Sequence, residues 1–270
     1  IGKTSLICRC AESLGGWGFI YADLLEVKSA DDLCRRLIRA LVSSEKDQTF
    51  LTRVLQGLAG MRPVLSFDHI TGQPRISLDR RVVLEPDSIR SVMELMGQKG
   101  EKGKLLVVLD EFQDILNLKE HRSILAEMRS EIQFQSGVSY IFSGSIRNRM
   151  NSVFFDSESP FFKSATLLEI GPVEPGRFSE FLREKFVHGK RMVSRELILE
   201  VIEMLGSVPG DVQEFCCALW DCSSPGDKIT KRNFRDAFRV VFARESKAYE
   251  AVLNHVSAQQ LRILSSLARL

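Results

Sequence analysis

Leu105-Leu106-Val107-Val108-Leu109-Asp110-Glu111-Phe112, LLVVLDEF, is the stretch on which the fold turns. From Leu105 to Leu109 the run is apolar without alternation, so a strand built from it must be covered on both faces, as at the centre of a parallel sheet. It is far short of the roughly 20 residues that span a bilayer. Asp110 and Glu111 then leave the C-terminal end of that strand, which is where open α/β sheets bind ligands.

Working outward, GFIYADL (18–24), VSYIFSGS (138–145) and TLLEIGPV (166–173) also read as strands, from their aromatic and β-branched content. Helical periodicity lies between them: TSLICRCAESL (4–14), an amphipathic stretch from Asp31 to Leu58, Ser88 to Met96, and Glu120 to Gln133. GQKGEKGK (97–104) reads as a polar, glycine-broken loop. PVLSFDHITGQPRISLD alternates on both sides of Thr71-Gly72-Gln73-Pro74 and predicts an inserted β-hairpin over about residues 63–84. Strands separated by helices call for an α/β fold, a parallel sheet with helices on both faces.

Beyond Pro175 the pattern turns all-helical: RFSEFLREKF, SRELILEVIEML, DVQEFCCALWD and NFRDAFRVVFARESKAYEAVL. The expected organisation is a core over 1–174, a helical domain over 175–254 and the opening of a further domain over 255–270, where Leu261, Leu264 and Leu267 recur at helical spacing.

Composition excludes little. Hydrophobic residues make up 44% and charged residues 27%, and 37 Lys and Arg nearly balance 35 Asp and Glu, so net charge argues for neither nucleic acid nor membrane. The cysteines Cys8, Cys10, Cys34, Cys216, Cys217 and Cys222 form no pair of C-x-x-C motifs at zinc spacing. They read as reduced, mostly buried thiols of a cytoplasmic protein.

The start of the chain, IGKTSLI, carries Gly2-Lys3-Thr4 followed by Ser5, the end of a G-x-x-x-x-G-K-[ST] phosphate loop whose earlier glycine would precede Ile1. In such a loop backbone N–H groups at a helix N-terminus cradle phosphates, the lysine neutralises the β and γ oxygens, and the Thr hydroxyl ligates Mg2+. Asp110 suits the Mg2+ water shell, and Glu111 suits a base that orients water toward the γ-phosphate. Taken singly, Asp110 also reads as an N-cap and Glu111 as a first-turn residue favoured by the helix dipole. Ser143 and Ser145 stand at a strand tip, fit to present a hydroxyl there or simply to make a turn. Arg147 and Arg149 reach a phosphate, a neighbouring subunit or water.

IGKTSLI, VVLDEFQDI, IFSGSIRNRM, SPFFKSATLLEIGPV and GSVPGDVQ, in this order, resemble the archaeal-type ATPases of the AAA+/STAND branch of P-loop NTPases. The resemblance implies a five-stranded core, a helical lid and a C-terminal winged helix, with ATP and Mg2+ as ligands. It assigns Lys3 and Thr4 to phosphate and Mg2+, Asp110 and Glu111 to the acidic pair, Ser143 or Ser145 to a sensor, and Pro209 to a Gly-x-x-Pro signature near the nucleotide. Lys163 stands where relatives often carry an arginine. The function implied is an ATP-driven switch acting on a protein partner, with homo-oligomers in reach. The alternatives are an ATP-regulated DNA-binding initiator working through the winged helix, and a non-hydrolysing nucleotide scaffold. With the first half of the loop upstream, the 270-residue chain alone is expected to bind ATP poorly or not at all.

Overall fold

The structure, a computed structural model, describes residues 2–44, 50, 52, 54, 56, 63–67, 74–78, 86–145 and 147–268. The chain divides into two compact units, one of Lys3–Leu168 and one built on Glu169–Leu270.

The first unit is organised by β4 (Leu105–Asp110), buried at every position as its unbroken apolar run requires. It pairs in parallel with β1 (Gly18–Asp23) on one side and β5 (Val138–Phe142) on the other, in the order β1-β4-β5. The register sets Asp23 beside Asp110 and Phe142 beside Leu109, so the C-terminal tips of the strands lie together.

Alternation along each strand divides the two faces. Ile20, Ala22, Leu105, Val107 and Leu109 enter the main core, with α2 (Ala30–Ser43), α3 (Pro86–Glu101) and α4 (His121–Ile132) supplying Leu37, Leu41, Val92, Met93, Ile124 and Met128. Leu106 and Val108 face the other way and pack with Ile7 of α1 (Lys3–Ser13), against partly buried Phe19, Tyr21 and Ile141. Helices thus cover both faces. The helix α2 starts at Ser29, whose hydroxyl accepts from the Asp32 N–H, with Asp31 and Asp32 in the favourable first turn.

Three expectations change. The loop expected over GQKGEKGK is helical as far as Glu101, because Gly97 and Gly100 are close-approach sites: a Cβ on Gly100 would stand 2.3 Å from Val138 Cγ2. The strand expected over 166–173 does not form. Its backbone joins no ladder, and Leu167, Leu168, Ile170 and Val173 are exposed. Apolar content alone cannot make a strand whose N–H and C=O groups find no neighbour. The sheet therefore holds three strands among the described residues, GFIYADL, LLVVLDEF and VSYIFSGS supplying them, where the resemblance implied five.

The expected hairpin is present as an antiparallel pair, β2 (Pro63–Phe67) with β3 (Pro74–Leu78), Val64 opposite Ser77. Its turn lies outside the described residues, as does most of the stretch expected to continue the helix from 45 to 58.

The second unit is helical: α6 (Pro175–His188), α7 (Arg195–Met204), α8 (Pro209–Asp221), α9 (Lys231–Asn254) and α10 (Ala258–Leu267), with α5 (Arg147–Phe154) belonging to the first unit. Its core gathers Phe178, Leu182, Phe186, Ile198, Val201, Val212, Phe215 and Leu219. Arg191, buried, lies 3.9 Å over the Trp220 ring and donates to Ser223 and the Gly189 carbonyl, which satisfies its fork. The last helix opens with a capping box between Ser257 and Gln260.

All six cysteines are free, and only Cys34 and Cys216 are buried; Cys10 and Cys217 are exposed, contrary to the expectation of mostly buried thiols. Burial pushes the Cys34 and Cys216 thiols up to about 12, so both stay protonated near neutrality. No helix among the described residues is long and apolar enough to cross a membrane.

Candidate nucleotide site

Thr4 and Asp110 are 106 residues apart in sequence, yet Thr4 Oγ1 donates to Asp110 Oδ2 at 2.6 Å. Two local facts produce this. Lys3 and Thr4 open α1, whose first N–H groups have no partner within the helix and face its positive dipole end. Asp110 ends β4, so its side chain leaves the sheet at the tip, against that helix end. Gly2 precedes with φ +89, a conformation that costs glycine nothing and other residues strain.

The Asp110 carboxylate is 5% exposed and well supplied with donors. Besides Thr4, Tyr21 donates its phenol to Oδ2 at 2.8 Å, and the Glu111 N–H donates to Oδ1 at 3.1 Å. Burial pushes this carboxyl up, but the bonds from Thr4, Tyr21 and the Glu111 N–H outweigh burial and hold it below the ordinary carboxylate value. The buried Ser143 hydroxyl acts in the same direction, although its oxygen makes no hydrogen bond of proper geometry. Conversely, burial and the neighbouring carboxylate push the Tyr21 phenol above its usual range, so it remains a donor.

Glu111 neither continues the strand nor caps with its side chain. It sits at φ 52, ψ 40, ahead of a 3-10 turn over Phe112–Asn117. Phe112 drives that turn inward: its ring lies 4.6 Å from Phe142, 6.0 Å from Phe154 and 5.6 Å from Phe161. With Phe112 anchored, the Glu111 carboxylate comes out at the tip of β5, where Ser145 Oγ donates to Oε2 at 2.9 Å and Gln113 Nε2 donates to the same oxygen at 2.6 Å.

Of the residues expected from sequence, Thr4, Asp110, Glu111, Ser143 and Ser145 come together at the tips of β4 and β5. Lys3 stands at the start of α1 and Ser5 next to Thr4, exposed. Arg149, partly exposed, donates to Asn117 at 2.5 Å and lies 3.6 Å from Asp114, bracing the 3-10 turn. The Arg147 side chain lies outside the described residues. Lys163 has its ammonium 5.0 Å over the Phe162 ring. Pro209 belongs to the second unit, where it takes the first position of α8, as its fixed φ favours.

Sequence reasoning missed Tyr21, Gln113 and Asp114. Asp114 accepts from the Glu26 N–H at 2.7 Å and ties the turn after β4 to the loop after β1. Gln113 lies buried in the turn between Phe112 and Ile115, a placement that only the structure reveals. Tyr21 likewise carries no mark in sequence, because its role follows from strand register.

The donor set fits Mg2+. That ion takes oxygen ligands, keeps several waters, and is commonly held by one carboxylate or hydroxyl plus phosphate oxygens. Thr4 Oγ1 and Asp110 Oδ2 supply such oxygens at one point. Among the described residues no group of three or more His, Cys, Asp or Glu side chains forms a metal cage, so the remaining ligands would be water and phosphate.

No family model matches the chain, and no curated protein matches it. Among solved structures it is similar to the Walker-type ATPase of Pyrococcus abyssi, with 18% identity, 94% of this chain and 68% of that chain covered, and a TM-score of 0.62. At this identity the likeness carries the fold, that of a P-loop ATPase.

Proposed function

We propose that the full-length protein binds ATP with Mg2+ and hydrolyses it, as a switch of the AAA+/STAND kind that passes its nucleotide state to a protein partner. The observation carrying this reading is the 2.6 Å bond from Thr4 to Asp110, which joins the end of a Gly-Lys-Thr sequence to the end of the central strand. Phosphates would lie at the N-terminus of α1, where N–H groups and the Lys3 ammonium oppose their charge.

Thr4 and Asp110 would hold Mg2+, which when bound neutralises the β and γ oxygens. Glu111 orients a water for in-line attack on the γ-phosphorus and takes its proton. As the new P–O bond forms, the bond to the β–γ bridging oxygen breaks and ADP leaves with that electron pair. Ser145 and Ser143 flank this water at the tip of β5. Pro209, the helical unit and the segment from residue 255 onward carry the coupling to the partner, which the exposed apolar side chains of α9 and α10 would meet.

Glu111→Gln in the full-length protein is expected to keep Mg·ATP binding while turnover falls about 100-fold or more. Unchanged turnover overturns the base assignment. ATP at about 100 times its Kd should also stabilise the protein by about 2.7 kcal/mol, read as a rise in Tm, and no shift would overturn the binding site itself.

A further inference from the structure

Resting on that reading, we infer that Gln113 is the positioning residue for Glu111: its amide, with Ser145, fixes one carboxylate oxygen so that the other is presented to the attacking water. Gln113 is 1% exposed, and its Nε2 donates to Glu111 Oε2 at 2.6 Å. Ser145 Oγ and, at 3.4 Å, the Ser145 N–H reach the same Oε2. All three donors fall on Oε2, and none falls on Oε1 among the described residues. A carboxylate loaded on one oxygen has its plane set and its second oxygen available to a water proton.

The orientation of the amide is decided by chemistry. Exchanging its oxygen and nitrogen would set an acceptor 2.6 Å from a carboxylate oxygen, so the donor end faces Glu111. This holds even though Gln113 Oε1 is thereby left buried with no partner, a cost that the bond to a charged group offsets. The site has also made room for this one rotamer. A Cβ on Gly144 would stand 2.2 Å from Gln113 Oε1 and 2.7 Å from Met150 Sδ, so the amide fills the space that a side chain at 144 would take. Glu111 itself, at φ 52, is held in a conformation that a free carboxylate-bearing residue rarely adopts. The turn therefore aims the glutamate, and Gln113 and Ser145 lock it.

A group that acts through Glu111 loses its effect once Glu111 can no longer take a proton, whereas a group that merely supports the fold does not. ATP turnover is measured for wild type, Gln113→Leu, Glu111→Gln and the double variant of the full-length protein. Gln113→Leu is expected to lower kcat about 10- to 100-fold with KM for ATP changed less than about 2-fold, the pattern of an interaction realised in the transition state. In the Glu111→Gln background the same substitution should change kcat less than about 3-fold. Ser145→Ala, exposed and without risk to folding, should show the same non-additivity with a smaller loss. Full additivity in either cycle, or a Gln113→Leu enzyme with wild-type kcat, overturns the inference and leaves the ATPase reading standing. If Gln113→Leu does not fold, the same cycle is run with the near-isosteric Gln113→Met and read by the same criteria. A wild-type protein without turnover overturns the ATPase reading first, and this inference with it.

Discussion

Asp110 shows how one residue's chemistry depends on neighbours far along the chain. Its Oδ2 takes hydrogen bonds from Thr4 and from Tyr21, which lie 106 and 89 residues away. Because its folded-state carboxyl is held below the unfolded value of about 3.9, the stability these bonds contribute is present above that value. It is lost as pH falls through the lower folded value. Tyr21→Phe removes one donor and leaves the other. It is expected to cost about 1.5–3 kcal/mol at pH 7, the range for bonds to charged groups, and progressively less below about pH 3.9. Urea denaturation at pH 7 and at pH 3 reads this directly; a loss equal at both pH values would contradict the bond to an ionised carboxylate. Thr4 and Asp110 stood out in sequence because each belongs to a short motif. Tyr21 did not, since in GFIYADL it is indistinguishable from a residue placed there for strand propensity.

Among the elements, α3 and β5 show how close packing overrides local preference. Glycine in a helix normally costs up to about 1 kcal/mol relative to alanine, so Gly100→Ala should stabilise an isolated helix. Here the added methyl would stand 2.3 Å from Val138 Cγ2 and 3.4 Å from the backbone of Gly137, itself at φ +82 against the Gly100 carbonyl. The expected sign is therefore reversed. Overpacking of this kind costs about 1–3 kcal/mol, so Gly100→Ala should lower the denaturation midpoint. A more stable variant would mean that the close approach is absent. The same contact explains why GQKGE was misread as a loop, because the glycines serve a neighbouring strand and not a chain reversal. In the opposite case, β4 was readable to the residue, because an unbroken apolar run has few ways to be buried other than in the middle of a sheet.

For the whole molecule, the connection between the two units carries a run of exposed apolar side chains. Leu167 is 57% exposed and Leu168 83%, in a segment without ladder partners. Limited chymotrypsin digestion is expected to cut between residues 166 and 173, releasing fragments that correspond to the two units; protection of this segment would show that it is paired after all. The helical stretch beyond Pro175 was legible from its 3.6-residue periodicity, whereas its caps came from the structure: Ser194, for example, accepts from the Leu197 N–H at the start of α7.

Sequence by itself marked the central strand and the two that flank it, the helices between them, the helical periodicity beyond Pro175, and the acidic pair at the end of the central strand. These follow from composition over a few neighbouring residues: apolar runs, periodicity, glycine beside lysine and threonine. Tertiary structure alone decided the rest. It left 166–173 unpaired, turned GQKGE into a helix end, put Tyr21 and Thr4 on one carboxylate oxygen, and set Gln113 behind Glu111. Each of these depends on distances between residues remote in sequence, and hydrogen bonds and steric contacts of a few ångströms leave no trace in the local pattern.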